Sequence, residues 1–384
     1  MLASFEKCSG CGSCRAACPN NCITMAENRE GFRYPQVDMQ QCVDCGLCRT
    51  ACPVLHAVSV ATHVDILAAK NRDAGIRMHS SSGGVFTALA EKTIQAGGVV
   101  CSAAYTESFD VCHVIVENPD DLWALRGAKY TQSVAEQCYP RIRQLLEDGR
   151  QVLFVGMPCQ TAGLKAFLGK AYNDLLLVDM ICHGVPAPAV WRKYLQEQTE
   201  KTGSSLRSVN LRSKVSGWSR YRYSVEFVHE NGVTDTKLQH QDRFMRGFVG
   251  DLYLRPSCSS CSFKGVARCS DLTLGDCWGI WETHPEFDDN RGISLLMIQS
   301  EKGRRVWDAV KDAFEYIPLE QEEAVRYNPS TVQSAAAHPR RTEFFDRLDK
   351  GERVTELVEE ILLPKVQKKT SLLGRIKRRL FSGK

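Results

Sequence analysis

Two stretches of the chain repeat one spacing of cysteine. The first runs Cys8-Ser-Gly-Cys11-Gly-Ser-Cys14-Arg-Ala-Ala-Cys18-Pro19, the second Cys42-Val-Asp-Cys45-Gly-Leu-Cys48-Arg-Thr-Ala51-Cys52-Pro53. Both read C-x2-C-x2-C-x3-C-P, the ligand run of bacterial two-cluster ferredoxins. Three thiolates at every third residue wrap one cubane, and the fourth cysteine, expected to start a short helix, reaches the other cluster. Gly10, Gly12 and Gly46 let the backbone approach the inorganic sulfides. The spacing predicts one [4Fe–4S] cluster on Cys8, Cys11, Cys14 and Cys52, and a second on Cys18, Cys42, Cys45 and Cys48. Zinc also uses C-x2-C pairs, but leaves the third cysteine of each triplet and the two prolines without a purpose. Cys22 fits neither run and reads as a buried small hydrophobe.

Further along, Gln151–Val155 runs into Gly156-Met-Pro-Cys159-Gln160, and Leu175–Ile181 runs into Cys182-His183-Gly184. Each cysteine follows an apolar strand, with a helix expected over Thr161–Leu168. A strand–helix–strand unit makes its strands parallel, so Cys159 and Cys182 are expected at one sheet edge, where α/β proteins bind ligands. Ordinary buried cysteines are the plain alternative. A third group holds Cys258, Cys261, Cys269 and Cys277. These four could share one zinc or cluster locally, or Cys258 and Cys261 could join Cys159 and Cys182. Spacing alone leaves both open. Ser80-Ser-Ser82-Gly83-Gly84 precedes an apolar helical pattern from Val85. Serine and glycine at a helix start can cap it or hold an anion such as a flavin phosphate.

The elements that carry these residues read as short strands alternating with helices. Strands are expected at Val64–Ala69, Val99–Tyr105, Val111–Val116, Gln151–Val155, Leu175–Ile181, Tyr221–Val228 and Val233–Leu238, the last two joined by a His229-Glu-Asn-Gly hairpin. The fold class is α+β followed by α/β: a ferredoxin-like bicluster domain over 1–57, a linker over 58–64, and a larger mixed α/β flavin and iron–sulfur domain over 65–335. A helical, basic tail over 336–384 completes the chain. Its 384 residues suffice for one large core and an appended module. The 18 cysteines, with no secretory leader or membrane span in sight, point to a cytoplasmic protein whose thiols bind metal. The net charge of +4 hides a polarity: residues 365–384 carry eight Lys or Arg and no acid, leaving a net −4 elsewhere. No nucleic-acid footprint follows. Leu372, Leu373, Ile376, Leu380 and Phe381 recur at helical spacing among Arg375, Lys377, Arg378 and Arg379, so peripheral contact with an anionic membrane is expected of the tail.

From Ile66 to Trp281 the chain resembles the beta subunits of coenzyme F420 hydrogenase/dehydrogenase, in a bacterial branch. The motifs are Ser81-SGGVFTAL, Leu125-RGAKYTQS, Leu153-FVGMPCQTAGL, Asp179-MICHGVPAP, Leu211-RSKVSGW and Cys258-SSCSFKG…DLTLGDCWGI. The resemblance implies a flavoprotein, FAD over FMN, with its own [4Fe–4S] cluster on Cys159, Cys182, Cys258 and Cys261. It implies flavin contacts for Ser82, Gly83, Gly84, Lys129 and Tyr130. The function implied is an iron–sulfur flavoprotein oxidoreductase exchanging electrons with a redox partner protein or small carrier, with a sugar-linked or lipid-linked substrate of surface-polysaccharide synthesis as one target. The alternatives are a coenzyme F420 oxidoreductase and a non-catalytic subunit feeding a partner enzyme.

Overall fold

The structure is a computed structural model that describes residues 2–362; of the tail expected over 336–384, residues 363–384, with the basic segment and its expected membrane contact, lie outside the described residues, and the part before them packs on the core. At the amino terminus β1 (Ile23–Glu27) and β2 (Arg33–Val37) form an antiparallel ribbon. Short helical turns at Ser13–Ala16 and Leu47–Thr50 carry the third cysteine of each run. The fourth cysteines, Cys18 and Cys52, follow these helices instead of starting them. Gly12 and Gly46 begin each turn at φ 73° and 78°, a conformation that glycine adopts without strain.

The body is built on nine strands. The first six members are β3 (Asp65–Asn71), β4 (Val99–Tyr105), β5 (Val111–Val116), β6 (Ser133–Val134), β7 (Val152–Gly156) and β8 (Leu175–Met180). A separate antiparallel sheet holds β9 (Leu206–Ser213), β10 (Ser224–His229) and β11 (Thr234–Leu238). The large sheet is completed by β12 (Leu272–Asp276), β13 (Ser294–Ile298) and β14 (Phe314–Pro318), in the order β14-β3-β13-β12-β8-β7-β4-β5-β6. It is mixed: β4, β7, β8 and β12 pair in parallel, while β13 runs against both β12 and β3. β7 and β13 are buried along their whole length, as strands covered on both faces must be. That is why β7 reads as an apolar run.

The helix after β7 starts at Pro158, earlier than the apolar pattern suggests, and runs to Leu168. Proline at the first helical position and the Gln160 side chain, which accepts a hydrogen bond from the Met157 N–H at 2.9 Å, begin it there. Cys159 therefore lies in the first turn. The helices Arg341–Leu348 and Val354–Leu362 pack Phe344, Phe345, Leu357 and Val358 into the core formed by Trp191, Tyr194 and Phe244. The Glu197 carboxylate accepts from the N–H groups of Val354 and Thr355 that begin the second of them. Among the described residues no helix is long and apolar enough to cross a membrane.

Candidate metal centres

Because β7, β8 and β12 are parallel, Gly156, Met180 and Asp276 end at one edge. Cys159 follows β7 and Cys182 follows β8. A 3-10 turn over Pro256–Ser260 brings Cys258, with Cys261 at its end, to the same place. All four cysteines line one cavity, with His183, Arg255, Lys264 and Arg268 around them. Burial pushes the Cys159 thiol well up, and Cys182, Cys261, Cys11 and Cys258 bear on its charge. Burial pushes Cys182 to about 12, opposed by Lys264 and Arg268. Thiols held protonated by burial ionise when a metal takes the proton's place.

The cations matter. Arg255, Lys264 and Arg268 line this cavity, and Arg255 and Arg268 are buried. Lys264 donates to the carbonyls of Cys182 and Ser330. Arg268 donates to those of Gly265, Phe263 and Thr331. Among the described residues none of the three has a carboxylate within 4 Å. A thiol-lined cavity beside cations that form no ion pair among the described residues fits an anionic iron–sulfur group. The thiols surround a space without converging on a point: among the described residues, no three His, Cys, Asp or Glu side chains are placed to hold a single metal ion.

Cys269 and Cys277 lie elsewhere. Cys277 is buried in an apolar cluster with Ile66, Trp218 and Leu295. Cys269 sits by Asp179 and Lys165. In the amino-terminal module, Cys8 and Cys52 bear on the charge of both Cys11 and Cys14. Cys48 feels Cys18 and Cys45, and Cys42 reaches Cys22. Cys22 is buried, as expected of a small hydrophobe, yet its Sγ is 3.2 Å from that of Cys18. The two modules meet closely: a Cβ on Gly163, in the helix that carries Cys159, would stand 3.0 Å from the Cys11 sulfur.

The residues expected at a flavin divide. Ser82 does not cap the helix Val85–Gln95; its hydroxyl donates to the Ile293 carbonyl at 2.6 Å. The Gly83 N–H donates to Ser294 Oγ at 2.9 Å, and a Cβ there would stand 2.2 Å from the Ala69 oxygen. Gly83 is required by close packing against the sheet, and its N–H is not free for a phosphate. Gly84 begins the helix at φ 90°, and no side chain caps the first turn. Lys129, far from being a solvated surface lysine, is half-buried; its Nζ donates to the carbonyls of Arg126 and Gly127 and lies 5.6 Å from the Tyr105 ring centre. Burial lowers it to about 8. Around it, Tyr105 Oη, Arg126 Nε and Thr131 Oγ1 are buried without a hydrogen-bond partner among the described residues.

Arg212, whose role the sequence did not disclose, ties these pieces together. It binds Asp276 through two nitrogens at 2.9 and 2.8 Å and donates to Tyr130 Oη at 3.1 Å. Its guanidinium lies 4.1 Å from the Tyr223 ring centre. It also reaches the Ser81 carbonyl, and Lys214 holds the Ser82 carbonyl. The Phe248 ring bridges Tyr130, at 4.9 Å, and His183, at 5.2 Å. The segment around Tyr130 is thus one side chain away from the residue after Cys182. His183 itself is held by Asp251 at 2.6 Å.

Comparison with known proteins identifies the parts of the chain. Residues 7–55 match a 4Fe-4S dicluster domain. Residues 66–137 and 149–323 match the amino-terminal and carboxy-terminal parts of the coenzyme F420 hydrogenase/dehydrogenase beta subunit. A relative named coenzyme F420-dependent sulfite reductase, from Methanocaldococcus jannaschii, is 24% identical over 331 residues, covering 83% of this chain. The chain spans 48% of that relative's length. A chain of the F420-reducing [NiFe] hydrogenase complex from Methanosarcina barkeri aligns with a TM-score of 0.43 at 18% identity, over 71% of this chain and 92% of the other. The order and extent of the family matches leave one conclusion: the chain belongs to the coenzyme F420 hydrogenase/dehydrogenase beta subunit family.

Proposed function

We propose that this chain is an iron–sulfur flavoprotein oxidoreductase holding three [4Fe–4S] clusters and one flavin. The clusters are assigned to Cys8, Cys11, Cys14 and Cys52; to Cys18, Cys42, Cys45 and Cys48; and to Cys159, Cys182, Cys258 and Cys261. One observation carries the reading: four thiols from three separate segments line a single cavity beside three cations that, among the described residues, have no carboxylate within 4 Å. When bound, the clusters supply one-electron transfer and the flavin two-electron chemistry. The protein's own part is to exclude water, to set charge around the sulfurs and to hold the groups close. Gly163 brings the Cys11 loop against the Cys159 helix. Phe248 brings Tyr130 near His183. The flavin is assigned to the space beside Lys129 and Tyr130, supported by the orphaned polar atoms there.

A second reading is favoured by the length comparison. The chain spans about half of the sulfite reductase relative, so it could deliver electrons to a partner that holds the substrate. Purification without air followed by acid extraction tests both. A flavin released in about one copy per chain, FAD over FMN, is expected. Lys129→Ala should cut that content several-fold with iron unchanged, since a cation near the rings or phosphates is lost. The dithionite-reduced protein is then offered a deazaflavin, sulfite and a sugar-linked acceptor. Turnover of one of these by the chain alone supports the enzyme; turnover only after a partner is added supports delivery. A protein without flavin removes the first reading.

A further inference from the structure

Arg255 is 1% exposed, and its guanidinium lies between the amino-terminal module and the thiol-lined cavity. Nε donates to the Cys8 carbonyl at 2.8 Å, Nη1 to Gln132 Oε1 at 2.8 Å and Nη2 to the Arg33 carbonyl at 3.0 Å. These acceptors are all neutral. The guanidinium also lies 4.2 Å from the Tyr34 ring centre. On its own segment, the Arg255 carbonyl accepts the Cys258 N–H at 2.9 Å. One residue thus touches the backbone of a cysteine in each of two assigned cluster sites.

Its charge is the unusual part. The buried acids nearby are already engaged: Glu136 holds Arg33 at 2.7 Å and Glu30 holds Arg341 at 2.6 Å. A guanidinium stays charged at any ordinary pH, and burying it without a counter-ion is costly. Neutral carbonyls solvate it but do not neutralise it. The remaining source of negative charge on either side is the two sets of cysteine sulfurs, which ionise when metal takes the place of their protons.

We propose that Arg255 is a positioning and charge-compensating residue shared by the Cys8 cluster and the Cys258 cluster, raising the reduction potential of both. An iron–sulfur cluster gains one negative charge on reduction, so a nearby fixed cation favours the reduced form. Both inner clusters thereby become better electron acceptors than they would be without it. The second amino-terminal cluster, on Cys18, Cys42, Cys45 and Cys48, lies outside this contact. Its nearby cation Arg49 is half-exposed and paired with Asp44. The inference rests on the assignment of a third cluster made above.

The test is a potentiometric titration of the full chain followed by electron paramagnetic resonance, with iron counted in each sample. Arg255→Gln, which keeps hydrogen bonding and removes the charge, should disfavour reduction of both inner clusters about tenfold, or about 59 mV for a one-electron couple. The remaining cluster should stay unshifted. Arg255→Lys should hold the inner potentials within about threefold, because the charge is retained. Full iron with unshifted inner potentials in Arg255→Gln overturns the proposal, as does an equal shift in Arg255→Lys. Should the glutamine variant load poorly, Arg255→Lys decides: a tenfold disfavouring of inner-cluster reduction there, with the charge retained and the Cys45 cluster unshifted, overturns the proposal. The Cys45 cluster is identified by its altered signal in Cys45→Ser. A parent with about 8 irons would remove the third cluster itself while leaving the Cys8 effect measurable.

Discussion

Cys159→Ser and Cys182→Ser should each lower the iron of the anaerobically purified protein from about 12 to about 8 atoms per chain, while Cys277→Ser and Cys269→Ser keep the higher count. Each of the first pair removes a thiolate from the cavity that Cys258 and Cys261 complete. Serine is a poor donor to iron–sulfur clusters, which select soft sulfur. Cys277 instead packs against Ile293, Leu295 and Met297. Its change to serine should cost about 1–3 kcal/mol of stability through a buried hydroxyl, with the cluster retained. The experiment is metal analysis with the reduced-state spectrum of each variant. A Cys277→Ser protein that folds and keeps its amino-terminal clusters but loses the third would sink the assignment, and with it the cavity as a cluster site.

Asp276→Ala should be the most destabilising of these single substitutions, by about 3–5 kcal/mol, read as a lower urea midpoint of the iron-loaded protein. Arg212 is buried, and Asp276 is its carboxylate partner. Removing the acid strands a guanidinium among Tyr130, Tyr223 and Trp278. Asp276→Asn, which leaves an acceptor in place, should lose less. Asp346→Ala is the control: its pair with Arg29 is about half-exposed on both sides, and it should cost less than about 1 kcal/mol. Because Arg212 also holds Tyr130 and the Ser81 carbonyl, flavin content should fall in Asp276→Asn before stability is seriously affected. Equal midpoints for the Asp276 and Asp346 variants would show that the buried pair is not a keystone of the site.

What the sequence by itself determined is local. The ferredoxin runs are legible because each set of spacings is written within 11 consecutive residues, and cluster chemistry demands that periodicity. The strands Val99–Tyr105 and Val111–Val116 are readable to the residue, and β8 nearly so, because central strands are short apolar runs between turn signals. The parallel pairing of β7 and β8 follows from the helix between them. β12 and β13 do not declare themselves as strands: Leu272–Asp276 ends in polar residues and Ser294–Ile298 has too few residues to set a period. The fourth cysteine of each run is expected at a helix start and instead follows the helix, because a helical turn of only four residues leaves no periodic trace in the sequence.

Tertiary structure decided the rest. Ser82 and Gly83 look like anion donors until the sheet claims both through Ile293 and Ser294, 211 residues away. Nothing in the sequence around Lys129 shows that the fold half-buries it beside Tyr105. The Arg212–Asp276 pair spans 64 residues and the Arg255–Cys8 contact 247. No periodicity encodes such contacts: a charged side chain reads the same in sequence whether water or a buried thiolate receives it. Its role is set by desolvation, and desolvation exists only once distant segments have packed together.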